Sequence, residues 1–366
     1  MIYLDNAATT LQKPPGVANA VRRAIRSMAS PGRGGHLPSM RAAETLYACR
    51  AEAAELFHVP DPERVVFTMN ATHGLNLALH SLVRPGDRVL ISGFEHNSVT
   101  RPLHALGAEI VPVARKLFSP QEALADFARY LEGANFVVCT HVSNVFGYIL
   151  PIEEIAELCK KRKVPLIVDA SQSAGILDVD MGKLGAAFVA MPGHKALMGP
   201  QGTGILLCGE HGIPLMQGGS GSDSLLQQMP DYLPDRLEAG TPNVCGIAGL
   251  LEGIRYVKRI GCDTIFRHEK RLLQIALQAL KGADITCYSG DDQCGVLSVR
   301  CPHMDSESLA SELAKEGVCV RGGLHCAPFA HESAGTLPGG TVRFSFSAFT
   351  SVQQVLQACR ILRRIV

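Results

Sequence analysis

No Cys-x-x-Cys pair occurs in this sequence, although it holds 12 cysteines. The closely spaced thiols of zinc fingers and ribbons are therefore missing. Cys287, Cys294 and Cys301 recur every seven residues, but their segment alternates as sheet strands do and offers no near partner, so no metal site is expected. The first ten residues lack a basic region followed by an apolar run, so the cysteines are expected to be reduced thiols of a cytoplasmic protein rather than a disulfide framework. No stretch reaches the roughly 18 apolar residues of a membrane span. Charge of one sign is not in excess either. Lys plus Arg number 35 against 34 Asp plus Glu, for a net charge of +1, which gives no electrostatic reason to expect nucleic acid or an anionic membrane as partner. A small-molecule substrate is the expectation that remains. Internal repeats, low-complexity tracts and long charge runs are absent as well.

What is present is an apolar fraction of 46% in 366 residues, enough for two lobes in one globular unit. Strand-like runs at 65–68, 88–92, 109–113 and 136–140 alternate with helical patterns at 72–83, 97–107, 120–133 and 151–163. That alternation predicts an α/β fold, a mostly parallel sheet covered by helices. Beyond a further strand at 204–208 and a Gly/Ser-rich loop at 218–224, two long helical patterns precede strands and helices that read as a smaller α+β lobe. The expected division is a large domain over 14–250 and a small one made of 1–13 and 251–366, because LDNAATT has no place in the helical run that begins near Pro15. In a parallel sheet, ligands collect outside the carboxyl ends of the strands. Those ends carry Asn70-Ala71-Thr72, Glu95-His96-Asn97, His141-Val142-Ser143-Asn144 and Asp169.

The most informative stretch runs from Val164 to Lys195. VPLIVDASQ is a buried-strand pattern ending in Asp169, with Gln172 three residues on, and Lys195 follows 26 residues after Asp169 in the turn GHKALMGPQGTG. A lysine amine able to form a Schiff base, with a carboxylate to keep a pyridine nitrogen protonated, is what pyridoxal phosphate requires. At Asn70 to Gly74 a strand turns into a helix with small residues, whose free backbone N–H groups suit a phosphate; Thr72 is equally suited to be only an N-cap. His96 follows another strand, where an imidazole can stack on a flat ring or serve as an ordinary polar residue. Near the C-terminus, VRGGLHCAPF sets Cys326 beside Arg321 and His325 in a Gly/His/Pro loop, an environment that favours thiolate and nucleophilic character. Cys49, Cys159 and Cys359 sit in helical patterns and read as core. Arg343, 17 residues after Cys326, stands in an apolar strand and needs an anion. A substrate carboxylate or an internal salt bridge would supply one.

Taken together, LDNAATT, NATHGLN, EHNS, HVSNVFG, VDASQ, GHK, GPQGTG, EAGTPN, RGGLHCA and the Arg343 strand resemble the cysteine desulfurases of the class V aminotransferase group, in their selenocysteine lyase-like branch. The resemblance covers nearly the whole length. It implies a fold-type I pyridoxal 5'-phosphate enzyme acting on L-cysteine. Lys195 would hold the cofactor, Asp169 would face the pyridine nitrogen, Gln172 the ring hydroxyl, and His96 would stack on the ring. Ala71, Thr72 and His194 would bind the phosphate, joined by Thr241 from the second subunit of a homodimer. Asn144 and Arg343, with Arg321 nearby, would hold the substrate carboxylate, and Cys326 would take the sulfur as a persulfide. Pro192 departs from the pattern, since the family usually has Ser or Thr there to help hold phosphate. The short interval from Cys326 to Arg343 implies a compact loop, so a sulfur-acceptor protein or a free thiol would have to come to it. Selenocysteine lyase, another class V amino-acid chemistry and an inactive sulfur carrier or scaffold are the alternatives.

Overall fold

In the computed structural model, which describes residues 1–32 and 34–366, the chain opens with a short strand, β1 (Ile2–Tyr3), and helices α1 (Pro15–Ser27) and α2 (Leu37–Leu56). The central sheet comprises β2 (Val65–Thr68), β3 (Arg88–Ser92), β4 (Glu109–Val113), β5 (Phe136–Thr140), β6 (Leu166–Asp169), β7 (Phe188–Pro192) and β8 (Gly204–Cys208). Their spatial order is β2-β8-β7-β6-β5-β3-β4. β8 runs antiparallel to both neighbours, and the other pairs are parallel. Helices α3 (Ala71–Leu82), α4 (Asn97–Ala105), α5 (Pro120–Tyr130), α6 (Ile152–Arg162) and the short α7 (Met181–Leu184) connect the strands.

The interior strands are largely apolar because helices cover both faces, whereas β4 at the sheet edge is only half-buried. Along them, alternate residues enter different cores: Leu90, Val137 and Val168 pack on one side of the sheet, and Val89, Val138 and Ile167 on the other. After α8 (Val244–Ile260) and α9 (Cys262–Leu280), a three-stranded antiparallel sheet forms from β9 (Thr286–Tyr288), β10 (Val296–Arg300) and β12 (Val342–Ser345). Between its strands come α10 (Ser306–Lys315), β11 (Val318–Cys319) and α11 (Pro328–Ser333), and α12 (Val352–Ile365) ends the chain. β1 lies parallel to β11, and Ile2 and Leu4 are buried with Leu272, Leu309, Phe344 and Leu362, so the first residues of the chain pack with the C-terminal part. No described helix is long and apolar enough to cross a membrane.

Several boundaries move by one to three residues from the periodicity. The helix predicted over 72–83 starts at Ala71 with Asn70 as its cap, accepting the His73 N–H, so Thr72 is not the N-cap. The pattern at 151–163 stops at Arg162, where Lys163 closes the helix in a left-handed conformation. The sequence marks α2 only by a helical pattern around Cys49, without bounds, and it does not mark β7 at all. The buried face of α2 is largely small residues such as Ala42, Cys49, Ala53 and Ala54, which give weak periodicity, and β7 is a five-residue run cut short by Pro192.

Candidate active site

Because β2 is antiparallel to β8, and β8 to β7, the carboxyl ends of β2, β3, β5, β6 and β7 all reach one rim. A cavity of about 190 Å³ opens there, walled by Ala71, Thr72, His96, Asn144, Asp169, Gln172, His194 and Lys195 together with Ser98 and Pro192. At its floor Asp169, 3% exposed, accepts the Ser171 N–H on Oδ1. Its other oxygen has no protein donor among the described residues. The Lys195 side chain borders the cavity, yet desolvation by the surrounding protein lowers its amine to about 8, with Arg343 acting in the same direction and Asp169 and Asp5 opposing. Gly175, at φ +92°, lets the turn after Asp169 lie against the Lys195 turn: a Cβ there would meet the Ala196 carbonyl oxygen at 2.8 Å.

At the opposite end of the cavity the first turn of α3 brings Ala71 and Thr72, whose N–H groups have no intrahelical acceptor. His96 caps α4, its Nδ1 accepting the Ser98 N–H at 3.0 Å and lying 2.9 Å from Ser98 Oγ. Ser98 Oγ is in turn 2.7 Å from Thr72 Oγ1. Burial lowers the pKa of His96, and that of His194 to about 4, so both rings are neutral near pH 7. With Nδ1 accepting an N–H, the proton of neutral His96 sits on Nε2.

The N-terminal segment wraps this turn. The His194 carbonyl accepts from Thr9 Oγ1, the Thr10 N–H and Thr10 Oγ1, and also from Lys13 Nζ at 2.9 Å, while the Ala7 carbonyl accepts from Gln172 Nε2 at 2.9 Å. Asp5 does the most. The backbones of Arg321 and Arg343 are bridged antiparallel, which sets two like charges side by side. Asp5 sits between them, Oδ2 taking Nε and NH2 of Arg321 at 3.0 and 2.9 Å and Oδ1 taking NH2 of Arg343 at 2.9 Å. Arg343 thus has the internal salt bridge that the sequence left open. It is 2% exposed, donates from NH1 to the Asn144 carbonyl at 2.9 Å, and keeps Nε without a partner.

Cys326 is exposed, on a turn where both His325 (φ 50°) and Cys326 (φ 57°) are left-handed. Two consecutive non-glycine residues in that region store local strain. Two bonds hold the turn to the cavity: Asn144 Nδ2 to the His325 carbonyl at 2.8 Å and the Asn97 N–H to the Cys326 carbonyl at 2.7 Å. His325, beneath it, is buried and neutral, its pKa pushed down to about 2 by desolvation first and by Arg343 second. Cys326, Arg321 and Arg343 are outside the cavity wall, and Arg343 and the Cys326 turn are each one hydrogen bond from it through Asn144. Thr241 is exposed and belongs to no wall of this cavity. Sequence reasoning passed over Asp5 and Ser98 as site residues, although both lie inside quoted motifs, LDNAATT and EHNS. Glu95 is placed at the same rim by its strand end, but nothing in the sequence gives it a role. That carboxyl is fully buried behind the floor, accepts Ser92 Oγ–H and Thr140 N–H at 2.6 Å each, and is raised by burial to about 8.

The class V aminotransferase family model matches residues 2–357. A probable cysteine desulfurase of Pyrococcus abyssi is 32% identical, covering 100% of this chain and 94% of its own. A cysteine desulfurase of Salmonella agona is 33% identical over 89% of this chain and 84% of its own. An apo structure of a cysteine desulfurase from Thermococcus onnurineus superposes with a TM-score of 0.92 at 32% identity, covering 100% of this chain and 94% of that one. The chain belongs to the class V aminotransferase family, in its cysteine desulfurase branch.

Proposed function

We propose that the protein is a pyridoxal-phosphate-dependent cysteine desulfurase, converting L-cysteine to L-alanine with transfer of the sulfur to Cys326. The observation that carries the reading is a cysteine turn, strained at two residues, hydrogen-bonded to the rim of a cavity that holds a lysine amine and a carboxylate with one oxygen free of protein donors among the described residues. The residues fit the cofactor. Lys195 would attach it, the free oxygen of Asp169 would meet the pyridine nitrogen, His96 would lie against the ring and Gln172 near its hydroxyl. Ala71 and Thr72, at a helix N-terminus, and His194, on the turn before Lys195, would meet the phosphate. When bound, pyridoxal phosphate supplies a sink for electrons released at the substrate's α-carbon.

The chain's own groups supply the rest. Asn144 and Arg343 orient the substrate carboxylate, Arg343 through its free Nε and the second protons of its terminal nitrogens. The Cys326 thiolate attacks the substrate sulfur, so that an S–S bond forms as the substrate Cβ–S bond breaks. The electron pair stays with the carbon, which takes a proton on the way to alanine. Lys195 moves protons at the substrate's carbons. The balance is one cysteine and one enzyme thiol giving one alanine and one enzyme persulfide. Release from Cys326 falls to a thiol or an acceptor protein arriving from outside. Thr241 would reach a phosphate only from a second copy, so the working form is a homodimer. Alanine and sulfide should be released from L-cysteine in equal amounts by a dimeric, cofactor-loaded protein in the presence of dithiothreitol. No alanine above the Lys195→Ala background would overturn the reading, and full activity in a diluted monomer would overturn the dimer.

Arg343→Ala tests the carboxylate assignment with little risk to the fold, since Asp5 Oδ2 keeps both of its hydrogen bonds from Arg321. Loss of a buried charge partner costs 2–5 kcal/mol, which is at least about 30-fold in KM for cysteine, with kcat less affected. An unchanged KM would leave Arg343 as the structural partner of Asp5 alone.

A further inference from the structure

We propose, resting on the cofactor reading above, that Ser98 is a second phosphate-binding hydroxyl of the site, acting beside Thr72. Pro192 borders the same cavity and lends it neither a hydroxyl nor an N–H. Ser98, on the first turn of α4, is also in the wall, and its Oγ lies 2.7 Å from Thr72 Oγ1 on the first turn of α3. Two helix N-termini therefore bring a pair of hydroxyls together where the positive ends of both helices favour an anion.

Proton bookkeeping points outward from this pair. One proton suffices to join two hydroxyls, so a second is left to give. His96 Nδ1 lies 2.9 Å from Ser98 Oγ, but it also accepts the Ser98 N–H at 3.0 Å, and a neutral imidazole nitrogen has a single lone pair to share between the two donors. A phosphate oxygen in the cavity is the better acceptor for the free hydroxyl proton. The same bonds link the phosphate end to the ring of His96, so Ser98 couples the anchoring of the cofactor to the placement of the imidazole against it.

Titration of apo-protein with pyridoxal phosphate and with pyridoxal, which lacks the phosphate, separates these roles. Ser98→Ala should raise the dissociation constant for pyridoxal phosphate by about ten- to a hundredfold, the value of one hydrogen bond to a charged group, and leave that for pyridoxal within about twofold. Ser98→Thr, which keeps the hydroxyl, should restore phosphate-dependent affinity. Ser98→Asp is the second probe: a carboxylate in the first turn of α4 favours the helix, so the variant folds, yet it should repel the phosphate and spare pyridoxal. Equal losses for both compounds would mean that Ser98 acts only through His96, and unchanged binding would mean that it has no role; either overturns the proposal. A wild type that binds neither compound would instead sink the cofactor reading itself.

Discussion

Cys326→Ser should keep the cofactor attached and still bind cysteine, yet lose alanine release by about a thousandfold or more, because a hydroxyl near neutral pH is a far poorer nucleophile than a thiolate. The change is nearly isosteric and the side chain is exposed, so folding should be untouched. The turn that presents it is held by backbone carbonyls, those of His325 and Cys326, neither of which involves the sulfur. Mass spectrometry of the wild type after one equivalent of cysteine should show 32 Da added to the peptide containing Cys326, roughly one sulfur atom, as thiolate capture requires. Transamination or racemisation needs no thiol at this position. A serine variant with full alanine release would therefore reject the desulfurase mechanism while leaving the fold and cofactor assignments standing.

Lys195→Ala should abolish turnover and leave pyridoxal phosphate bound only reversibly, with no borohydride-stable label in the protein. A label trapped on another lysine in the wild type would reject the assignment. The pH dependence of loading gives an independent measure. The neutral amine is the reactive form, and burial lowers the Lys195 pKa to about 8 from the ordinary 10.5. Loading of apo-protein should then speed up as pH rises through about 8 and level off above it, where an exposed lysine would still be gaining. Removing the cation in Arg343→Ala should move the midpoint up, and removing the anion in Asp169→Asn should move it down, since the first group lowers the amine's pKa and the second raises it. Shifts of the same sign in both variants would contradict this electrostatic account.

Much of the fold is local in its causes and was legible in the residues. Short apolar runs bounded by turn residues mark β2, β3, β5 and β8 at the observed positions, because a strand buried on both faces has to be largely apolar, and the half-buried edge strand β4 is marked by its apolar run from Ile110 to Val113. The motifs at strand ends mark one rim for the same reason, since a parallel sheet brings its carboxyl ends together. Ala71, Thr72, His96, Asn144, Asp169, Gln172, His194 and Lys195 do line one cavity. Tertiary structure decided the rest. Arg343 in an apolar strand announces the need for an anion, but nothing near it in the chain says which. Asp5, 338 residues away, becomes its neighbour only because β1 pairs with β11 and carries the N-terminal segment across the site. Ser98 reads as an ordinary residue of a helix's first turn until α3 and α4, on separate strand crossovers, bring its hydroxyl to Thr72. The exposed, left-handed turn at Cys326 likewise depends on hydrogen bonds to Asn97 and Asn144 from elements far away in sequence. Periodicity reports which face of an element is buried. Which charges and hydroxyls meet is settled by long-range packing, where a hydrogen bond is worth most and sequence spacing says least.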